Sequence, residues 1–372
     1  GVVKVGDKLV LFRRLFNEAS KTGYPYNTTS VQVLVYDLSD PAKPVKRGAV
    51  ELPMAYMPYY YYWCGDGGYW GGYWFDRYWN YYGYDSSWTV TDSGLTFLSQ
   101  QYDYQVKGYT RKLLFVDLSN ANKPSYNELK LTSDTDWTFF SLLTQTEDPK
   151  KLYMTYRIKV GQVKTNDQTM YMYKYYAQRW DKTASAWTKG PAFNLPGRLI
   201  KAWKKGAETR FLTFDYTYNK TYNSNGNGYY YWQPAYRLNM LRQNNVWGQP
   251  MAELLDFNNF KSLYLNDLVM DGDKLFVNAG AGYSYSATGD WTKDSDRLFI
   301  YDLSGYTLDQ KYAQPTGTYN ARLMGTHQGK LFVSLPGDGV LVVDSTNPVK
   351  PDGQQFMRTL GYATHIEFAG DT

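Results

Sequence analysis

Hydrophobic and polar residues follow one recurring pattern along this chain: a short apolar run, an aspartate, and then a polar turn. The pattern is written four times, at VLVYDLSDPAKP (Val33 to Pro44), LLFVDLSNANKP (Leu113 to Pro124), LFIYDLS (Leu298 to Ser304) and VLVVDSTNPVKP (Val340 to Pro351). Apolar β-branched residues favour a buried strand, Asp and Ser side chains cap turns, and proline ends a hydrogen-bond ladder. Four copies of one strand-and-turn unit indicate a repeat protein.

Each repeat is predicted to contain four strands, labelled A to D in chain order. The predicted strands of the four clear repeats are Val2–Val5, Lys8–Phe12, Val33–Leu38 and Val45–Leu52 in the first; Trp88–Thr91, Leu95–Ser99, Leu113–Leu118 and Tyr126–Leu131 in the second; Asp267–Met270, Lys274–Val277 and Leu298–Leu303 in the fifth; and Ala321–Gly325, Lys330–Ser334 and Val340–Asp344 in the sixth. Tight A–B turns are predicted at Gly6-Asp7, Asp271-Gly272 and Gln328-Gly329, because such hairpin turns need residues that tolerate positive φ.

Two degenerate repeats are predicted between the second and the fifth, without the aspartate signature. Their B and C strands are predicted at Leu152–Tyr156, Thr169–Trp180, Arg210–Phe214 and Ala235–Leu241, with Trp187 and Trp247 in the two D strands. The 185 residues from Asp117 to Asp302 allow three steps of about 62 residues, against 42 from Asp302 to Asp344.

Four-stranded units of this length predict an all-β β-propeller of antiparallel blades. We expect six blades and the first strand of a possible seventh at Ala363–Phe368, in a single domain over residues 1–372 with a loop insertion at 56–88. Burial of Val35, Leu114, Phe299 and Leu341 between blades is predicted, since the C strands must stack adjacent sheets.

Composition agrees with strands and turns, with 39 Tyr, 17 Phe, 12 Trp and 32 Gly. The net charge of +5 is small and dispersed, so neither a nucleic-acid footprint nor a basic membrane patch is indicated. No apolar run approaches the ~20 residues of a membrane span, and no signal peptide is visible. Because residue 1 is Gly rather than Met, we expect a processed or partial chain.

The segments VLVYDLSDPAKP and LLFVDLSNANKP, with the opening VVKVGDKLVLF, resemble LVIVD-type repeats. They also resemble the secreted bacterial and archaeal β-propellers that are distantly related to WD-repeat proteins. The resemblance covers four of the six repeats, and the middle third only by spacing. It implies a secreted or cell-surface propeller and supplies no catalytic residues to carry over.

The long connections are all predicted on one face, because B–C and D–A connections of a propeller lie together. They are Arg13–Ser30, Tyr56–Ser87, Tyr216–Gln233 and Gly282–Ser295. The segment from Tyr56 to Trp88, the aromatic insertion, holds 17 aromatic residues and six glycines in 33 positions. Function is usually carried by loops displayed on a rigid scaffold.

Tyr and Trp rings offer flat apolar area with a polar edge, which suits sugar rings and protein partners. The residues predicted to bind are Tyr69, Trp70, Tyr73, Trp74 and Trp79 of the insertion, with Tyr229, Tyr230 and Trp232 of the Tyr216–Gln233 loop. Two other roles for the insertion stay open: a self-packed cap over the propeller channel, or the lining of an active site.

Signals for catalysis and for metals are weak. The only histidines are His327 and His365, no G-x-S-x-G elbow is present, and no catalytic residue or metal ligand is predicted. Asp37, Asp117, Asp302 and Asp344 are interpreted as turn caps because each follows a C strand. The single cysteine, Cys64, is interpreted as a buried thiol, and the sequons at Asn27 and Asn219 are expected in loops.

The sequence therefore predicts a non-catalytic extracellular or cell-surface propeller whose aromatic face binds a polysaccharide, a surface protein or a second copy. No cofactor, no nucleic acid and no transmembrane segment are expected, and a quinone-dependent dehydrogenase is disfavoured because cofactor motifs are not evident. The alternative is a glycan-processing enzyme. It would need paired carboxylates about 5–10 Å apart, for which the insertion supplies only Asp66, Asp76 and Asp85.

Overall fold

The computed structural model of the chain is all-β, with no helix among the residues that it describes. Those residues are 2–16, 28–40, 42–53, 88–103, 108–131, 137–145, 147–165, 168–183, 186–222, 230–246, 249–261, 263–281, 283–285, 291–293, 296–316, 321–335, 339–347, 355–359, 363 and 366. Within these ranges, no helix is long and apolar enough to cross a membrane.

Six four-stranded antiparallel sheets follow one another along the chain, and the fold class is a six-bladed β-propeller. Blade 1 contains β1 (Val2–Val5), β2 (Lys8–Phe16), β3 (Thr28–Asp37) and β4 (Val45–Leu52). Blade 2 contains β5 (Trp88–Thr91), β6 (Gly94–Asp103), β7 (Gly108–Asp117) and β8 (Ser125–Leu131). Blade 3 contains β9 (Trp137–Gln145), β10 (Asp148–Thr165), β11 (Gln168–Lys182) and β12 (Trp187–Leu195).

The other three sheets have the same meander order. Blade 4 contains β13 (Arg198–Lys205), β14 (Glu208–Tyr222), β15 (Tyr230–Val246) and β16 (Gln249–Lys261). Blade 5 contains β17 (Leu263–Asp271), β18 (Lys274–Ala281), β21 (Arg297–Asp302) and β22 (Asp309–Pro315), with a small hairpin of β19 (Tyr283–Tyr285) and β20 (Trp291–Lys293) between its middle strands. Blade 6 contains β23 (Arg322–His327), β24 (Lys330–Leu335), β25 (Gly339–Asp344) and β26 (Gln355–Met357).

The A–B turns of blades 1 and 6 form where they were predicted, and that of blade 5 lies one residue later, at Gly272-Asp273. Gly6 has a φ of 60° and Gly272 a φ of 56°, so both adopt the left-handed conformation that glycine tolerates. In blade 6 the turn places Gln328 at φ 48° and Gly329 at φ 72°, two consecutive left-handed residues as a type I′ hairpin requires.

The chain divides into two compact units. The first comprises Gly1–Phe211 and Gln243–Ala252, and the second comprises Leu212–Arg242 and Glu253–Thr372. The prediction of one domain over residues 1–372 stays a prediction.

Among the described residues of the first unit, two apolar clusters lie between successive sheets. Val33, Val35 and Leu114 are fully buried in the cluster between blades 1 and 2. The next cluster places Trp180 and Leu152 of blade 3 against blade 2, where Phe115 lies 6.5 Å from the Trp180 ring. The alternating apolar residues of the C strands therefore do bury side chains on both faces of a sheet.

The second unit has its cluster between blades 5 and 6, where Phe276, Ile300 and Leu331 are fully buried. Phe299 is buried as predicted, and it lies edge-on to Phe260 of β16 at 5.3 Å. The prediction for Leu341 was wrong, because this residue packs against the cluster but stays partly exposed. It pairs with Phe356 of the three-residue β26, whose ring is 46% exposed, so this part of the sheet face is incompletely covered.

The possible seventh strand, predicted at Ala363–Phe368, falls largely outside the described residues. Of its residues the structure describes Ala363 and Ile366, and neither lies in a strand. Ser334 Oγ of β24 donates a hydrogen bond of 2.6 Å to the carbonyl of Ala363.

Candidate functional site

The B–C hairpin and the D–A connection lie at the same end of the sheets in the first unit, here called the loop end. In blade 1, the last residue of β4, Leu52, pairs with Val31 near the start of β3. In blade 2, the first residue of β5, Trp88, pairs with Phe97 on the side of β6 that leads into the B–C hairpin. The strand register therefore places Leu52, four residues before the aromatic insertion, and Trp88, its last residue, at the loop end.

Core residues lie on both sides of the part of the insertion that the structure does not describe. Leu52 is fully buried in the cluster between blades 1 and 2, and Trp88 packs against the same cluster. The Trp88 ring meets Phe12 of β2 edge-on, with 4.9 Å between ring centroids and 69° between ring planes. Edge-to-face aromatic pairs of this kind add to the stabilisation from buried area. Leu52, before the insertion, and Trp88, its last residue, thus both lie on the packed scaffold.

Most of the predicted binding residues lie outside the described residues. These are Tyr69, Trp70, Tyr73, Trp74 and Trp79 of the insertion, together with Tyr229. Tyr230 and Trp232 lie in β15, where only the backbone is described. The structure therefore leaves the binding role of all eight as a prediction.

The prediction of a loop over Tyr216–Gln233 was wrong for most of that segment. β14 continues to Tyr222 and β15 begins at Tyr230, so most of the segment belongs to a long hairpin. The signal was present in YTYNKTY, where tyrosines alternate with polar residues at the period of a strand. The sequon at Asn219 accordingly lies within β14, and that at Asn27 begins one residue before β3.

The other long connections also contain more strand than was predicted. Arg13–Phe16 belongs to β2 and Thr28–Ser30 to β3, so the predicted loop at Arg13–Ser30 is shorter at both ends. The predicted loop at Gly282–Ser295 carries the β19–β20 hairpin, in which Ser284 pairs with Thr292.

Blade 3 presents a two-stranded ribbon at its loop end that the sequence reasoning missed. Pairing of β9 with β10 ends at Ile158, and pairing of β12 with β11 ends at Tyr175. β10 and β11 continue together to the pair Thr165–Gln168. We call residues 157–175 the blade 3 ribbon.

Aromatic and basic side chains occupy the described part of this ribbon and its base. The Arg157 guanidinium lies over the Tyr173 ring, 3.9 Å from its centroid. At the base, Tyr156 and Tyr176 stack at 5.4 Å with 16° between their planes. Val160 and Met172 are 49% and 50% exposed, so the ribbon also displays apolar area. The sequence signal was the strand-period alternation of basic with apolar residues in RIKV, and of tyrosine with Met and Lys in YMYKYY.

The repeated aspartates are turn caps, as predicted. Asp37, Asp117, Asp302 and Asp344 each accept a hydrogen bond of 2.7–2.9 Å from the backbone N–H two residues ahead. Hydrogen bonds from Ser39, and then from Arg47, lower the pKa of Asp37 to about 2. Each aspartate is thus committed to its own turn.

Groups for acid–base or metal chemistry are few in the described part of the chain. No cluster of three or more His, Cys, Asp or Glu side chains occurs within it. His327 is half-buried beside the A–B turn of blade 6, at the end of the sheet opposite its B–C connection. His365, Cys64 and the insertion's Asp66, Asp76 and Asp85 lie outside the described residues.

Comparisons with known proteins identify no family for this chain. No protein-family model matches the chain, and no curated protein does either. Among solved structures, the β-propeller domain of the Trilobed protease from Pyrococcus furiosus is similar at 11% identity and a TM-score of 0.44, over 94% of this chain and 81% of that one. An acylaminoacyl peptidase from Pyrococcus horikoshii is similar at 11% identity and a TM-score of 0.42, over 92% of this chain, which spans 43% of that protein's length.

Proposed function

We propose that this protein is a non-catalytic binding or assembly scaffold that acts through the aromatic insertion and the neighbouring hairpins at the loop end. The observation that carries the proposal is that Leu52, four residues before the insertion, and Trp88, its last residue, both pack in the core between blades 1 and 2. A segment so rich in Tyr and Trp, held at a rigid end of the sheets, can present rings to a partner at low entropic cost.

The proposed partner is a polysaccharide, another surface protein or a second copy of this chain. Tyr and Trp side chains can bind each of the three, because their rings are flat and apolar with a polar edge. Such rings contribute much of the binding energy when a partner covers them. We further propose an extracellular or cell-surface location, which the resemblance to LVIVD-type repeats implies.

A glycan-binding and self-association test addresses this proposal. The chain is sedimented with cellulose and with chitin, and its self-association is measured by sedimentation velocity. The variant Trp79→Ala/Trp232→Ala removes one ring from each aromatic stretch. We expect it to weaken whichever association the wild type shows by about tenfold, the effect of losing about 1.4 kcal/mol.

Tyr306→Ala is the matched control, because Tyr306 is 54% exposed on the C–D connection of blade 5. This control should bind as the wild type does, and an equal loss in both variants would contradict the proposal. Release of reducing sugar from either polysaccharide would favour the alternative of a glycan-processing enzyme.

A further inference from the structure

One face of the blade 3 ribbon carries two cations and two tyrosines in register. Arg157 is directly opposite Tyr175, and Lys159 is directly opposite Tyr173. Directly opposed residues of an antiparallel pair point to the same face, and so do residues two apart on one strand. These four side chains therefore form a single surface, the ribbon face.

The rings of the ribbon face are presented in a defined orientation. The Arg157 guanidinium lies 3.9 Å from the Tyr173 centroid, so it supports that ring diagonally across the two strands. Tyr173 and Tyr175 are both half-buried and Lys159 is exposed. A ring held at its edge or on one side retains little rotamer freedom to lose when a ligand covers it.

The charge of the ribbon favours an anionic partner. Residues 157–174 include four basic residues, Arg157, Lys159, Lys164 and Lys174, and one acidic residue, Asp167. The whole chain carries only +5 over 372 residues, so this short segment is much more basic than the rest. Local excess charge of one sign steers and selects partners of the opposite sign.

The mixture of rings and cations selects among anionic partners. The four basic residues of the ribbon are fewer than the roughly 6–10 phosphate contacts of a protein that binds duplex DNA with strong salt dependence. A polyuronate instead carries one carboxylate on each sugar ring, and the apolar C–H face of the ring can lie against an aromatic side chain. One tyrosine can therefore contact the ring of a sugar unit while the neighbouring cation pairs with the carboxylate of that unit.

We propose that the ribbon face binds a carboxylated polysaccharide, with Arg157 and Lys159 pairing with carboxylates while Tyr173 and Tyr175 lie against the sugar rings. The proposal rests on the proposed function, that the loop end is a binding surface, and it names the chemical class of the partner.

The test measures binding of the full chain to polygalacturonate, with dextran as the neutral polysaccharide, oligothymidylate as the nucleic acid and polyglutamate as the acidic polypeptide. We expect wild type to prefer polygalacturonate over the other three. Arg157→Gln/Lys159→Gln should weaken that binding at least fivefold, as expected when two exposed charge pairs are lost. Tyr173→Ala should also weaken binding of polygalacturonate. Because the two cations remain, this variant should still bind the polysaccharide at low salt.

The charge-matched control is Lys130→Gln/Lys150→Gln, which removes two exposed lysines outside the ribbon. It should bind polygalacturonate within twofold of wild type. An equal loss in this control, no binding by wild type, or tighter binding of oligothymidylate or polyglutamate would each overturn the proposal.

A further variant separates this proposal from the proposed function of the insertion. If Trp70→Ala/Trp74→Ala retains polygalacturonate binding while Arg157→Gln/Lys159→Gln loses it, the ribbon is the site and the insertion is not needed. The reverse result overturns the ribbon proposal and leaves the insertion as the binding surface.

Discussion

Each repeated aspartate stabilises the turn after its C strand in the same way. Its carboxylate accepts the N–H two residues ahead, at 2.8 Å from Ser39 to Asp37 and 2.9 Å from Thr346 to Asp344. The residue between the two partners also contributes, since the backbone N–H of Leu38 donates to the carbonyl of Asp7 in the A–B turn of the same blade at 2.9 Å. The aspartate thus caps the C–D turn beside the backbone contact that joins this turn to the A–B turn, which explains why the sequence repeats it.

The cap at Asp37 makes a pH-dependent contribution to stability. Its pKa is about 2 in the folded chain, below the ordinary value of 3.8, because Ser39 and Arg47 donate hydrogen bonds to the ionised carboxylate. A lowered pKa means stability that is present above about pH 4 and is lost as the pH falls toward 2. We therefore expect Asp37→Asn to lower the melting temperature at pH 7, and this deficit to shrink between pH 4 and pH 2. Thermal melts at several pH values measure it, and a deficit that is the same at pH 7 and pH 2 would contradict the account.

Close approach of the backbone between neighbouring sheets depends on one glycine. A Cβ built on Gly48 of β4 would lie 2.5 Å from the carbonyl oxygen of Ala121 and 2.6 Å from Cδ of Pro124. Both atoms belong to the C–D turn of blade 2, which backbone and a proline ring hold in place. The element β4 can therefore pack on blade 2 only while position 48 lacks a side chain.

We expect Gly48→Ala to lower the free energy of unfolding by about 1–3 kcal/mol, the usual cost of overpacking. Denaturant titration measures the change. Gly305→Ala is the matched control, because a Cβ at Gly305 meets no atom within 4 Å. A Gly48→Ala variant as stable as Gly305→Ala would contradict this account, because it would show that the C–D turn of blade 2 can move to accommodate the methyl group.

A second recurring contact is a hydrogen bond from a side chain of the B strand to a backbone carbonyl in the segment that follows the blade. Asn278 of β18 donates from Nδ2 to the carbonyl of Ala321 at 2.6 Å, one residue before β23. Ser334, the equivalent residue of β24, donates to the carbonyl of Ala363. Since both residues lie four positions after the first lysine of their strand, the contact repeats with the blade.

Strand positions could be predicted where the repeat pattern is clear, and strand lengths where a turn or a proline ends the strand. β1, β4 and β5 have their predicted bounds for this reason. β10, β14 and β15 run well beyond their predicted ends, because the polar segments that follow or precede the apolar part of each strand were interpreted as loops. The missed ribbon face has the same cause, since a segment interpreted as a short strand offers no projecting surface.

At the scale of the whole molecule, apolar clusters between successive sheets build each of the two compact units. Such cores depend on residues spread over several elements, so sequence could indicate the class of fold but not how fully each sheet face is covered, as Leu341 shows. The binding site is harder still to predict, because Tyr and Trp rings, which are apolar with a polar edge, can pack on one another or bind a partner equally well.

The central claim is that the aromatic insertion presents its rings to a partner. The variant Trp70→Ala/Trp74→Ala tests it most directly, with partner binding and the melting temperature measured on the same preparation. An anchor ring covered by a partner contributes about 2 kcal/mol or more, so binding should weaken at least tenfold. The melting temperature should stay nearly unchanged, because rings offered to a partner contribute little to the core. A much lower melting temperature with binding intact would contradict the claim and identify the insertion as a structural cap.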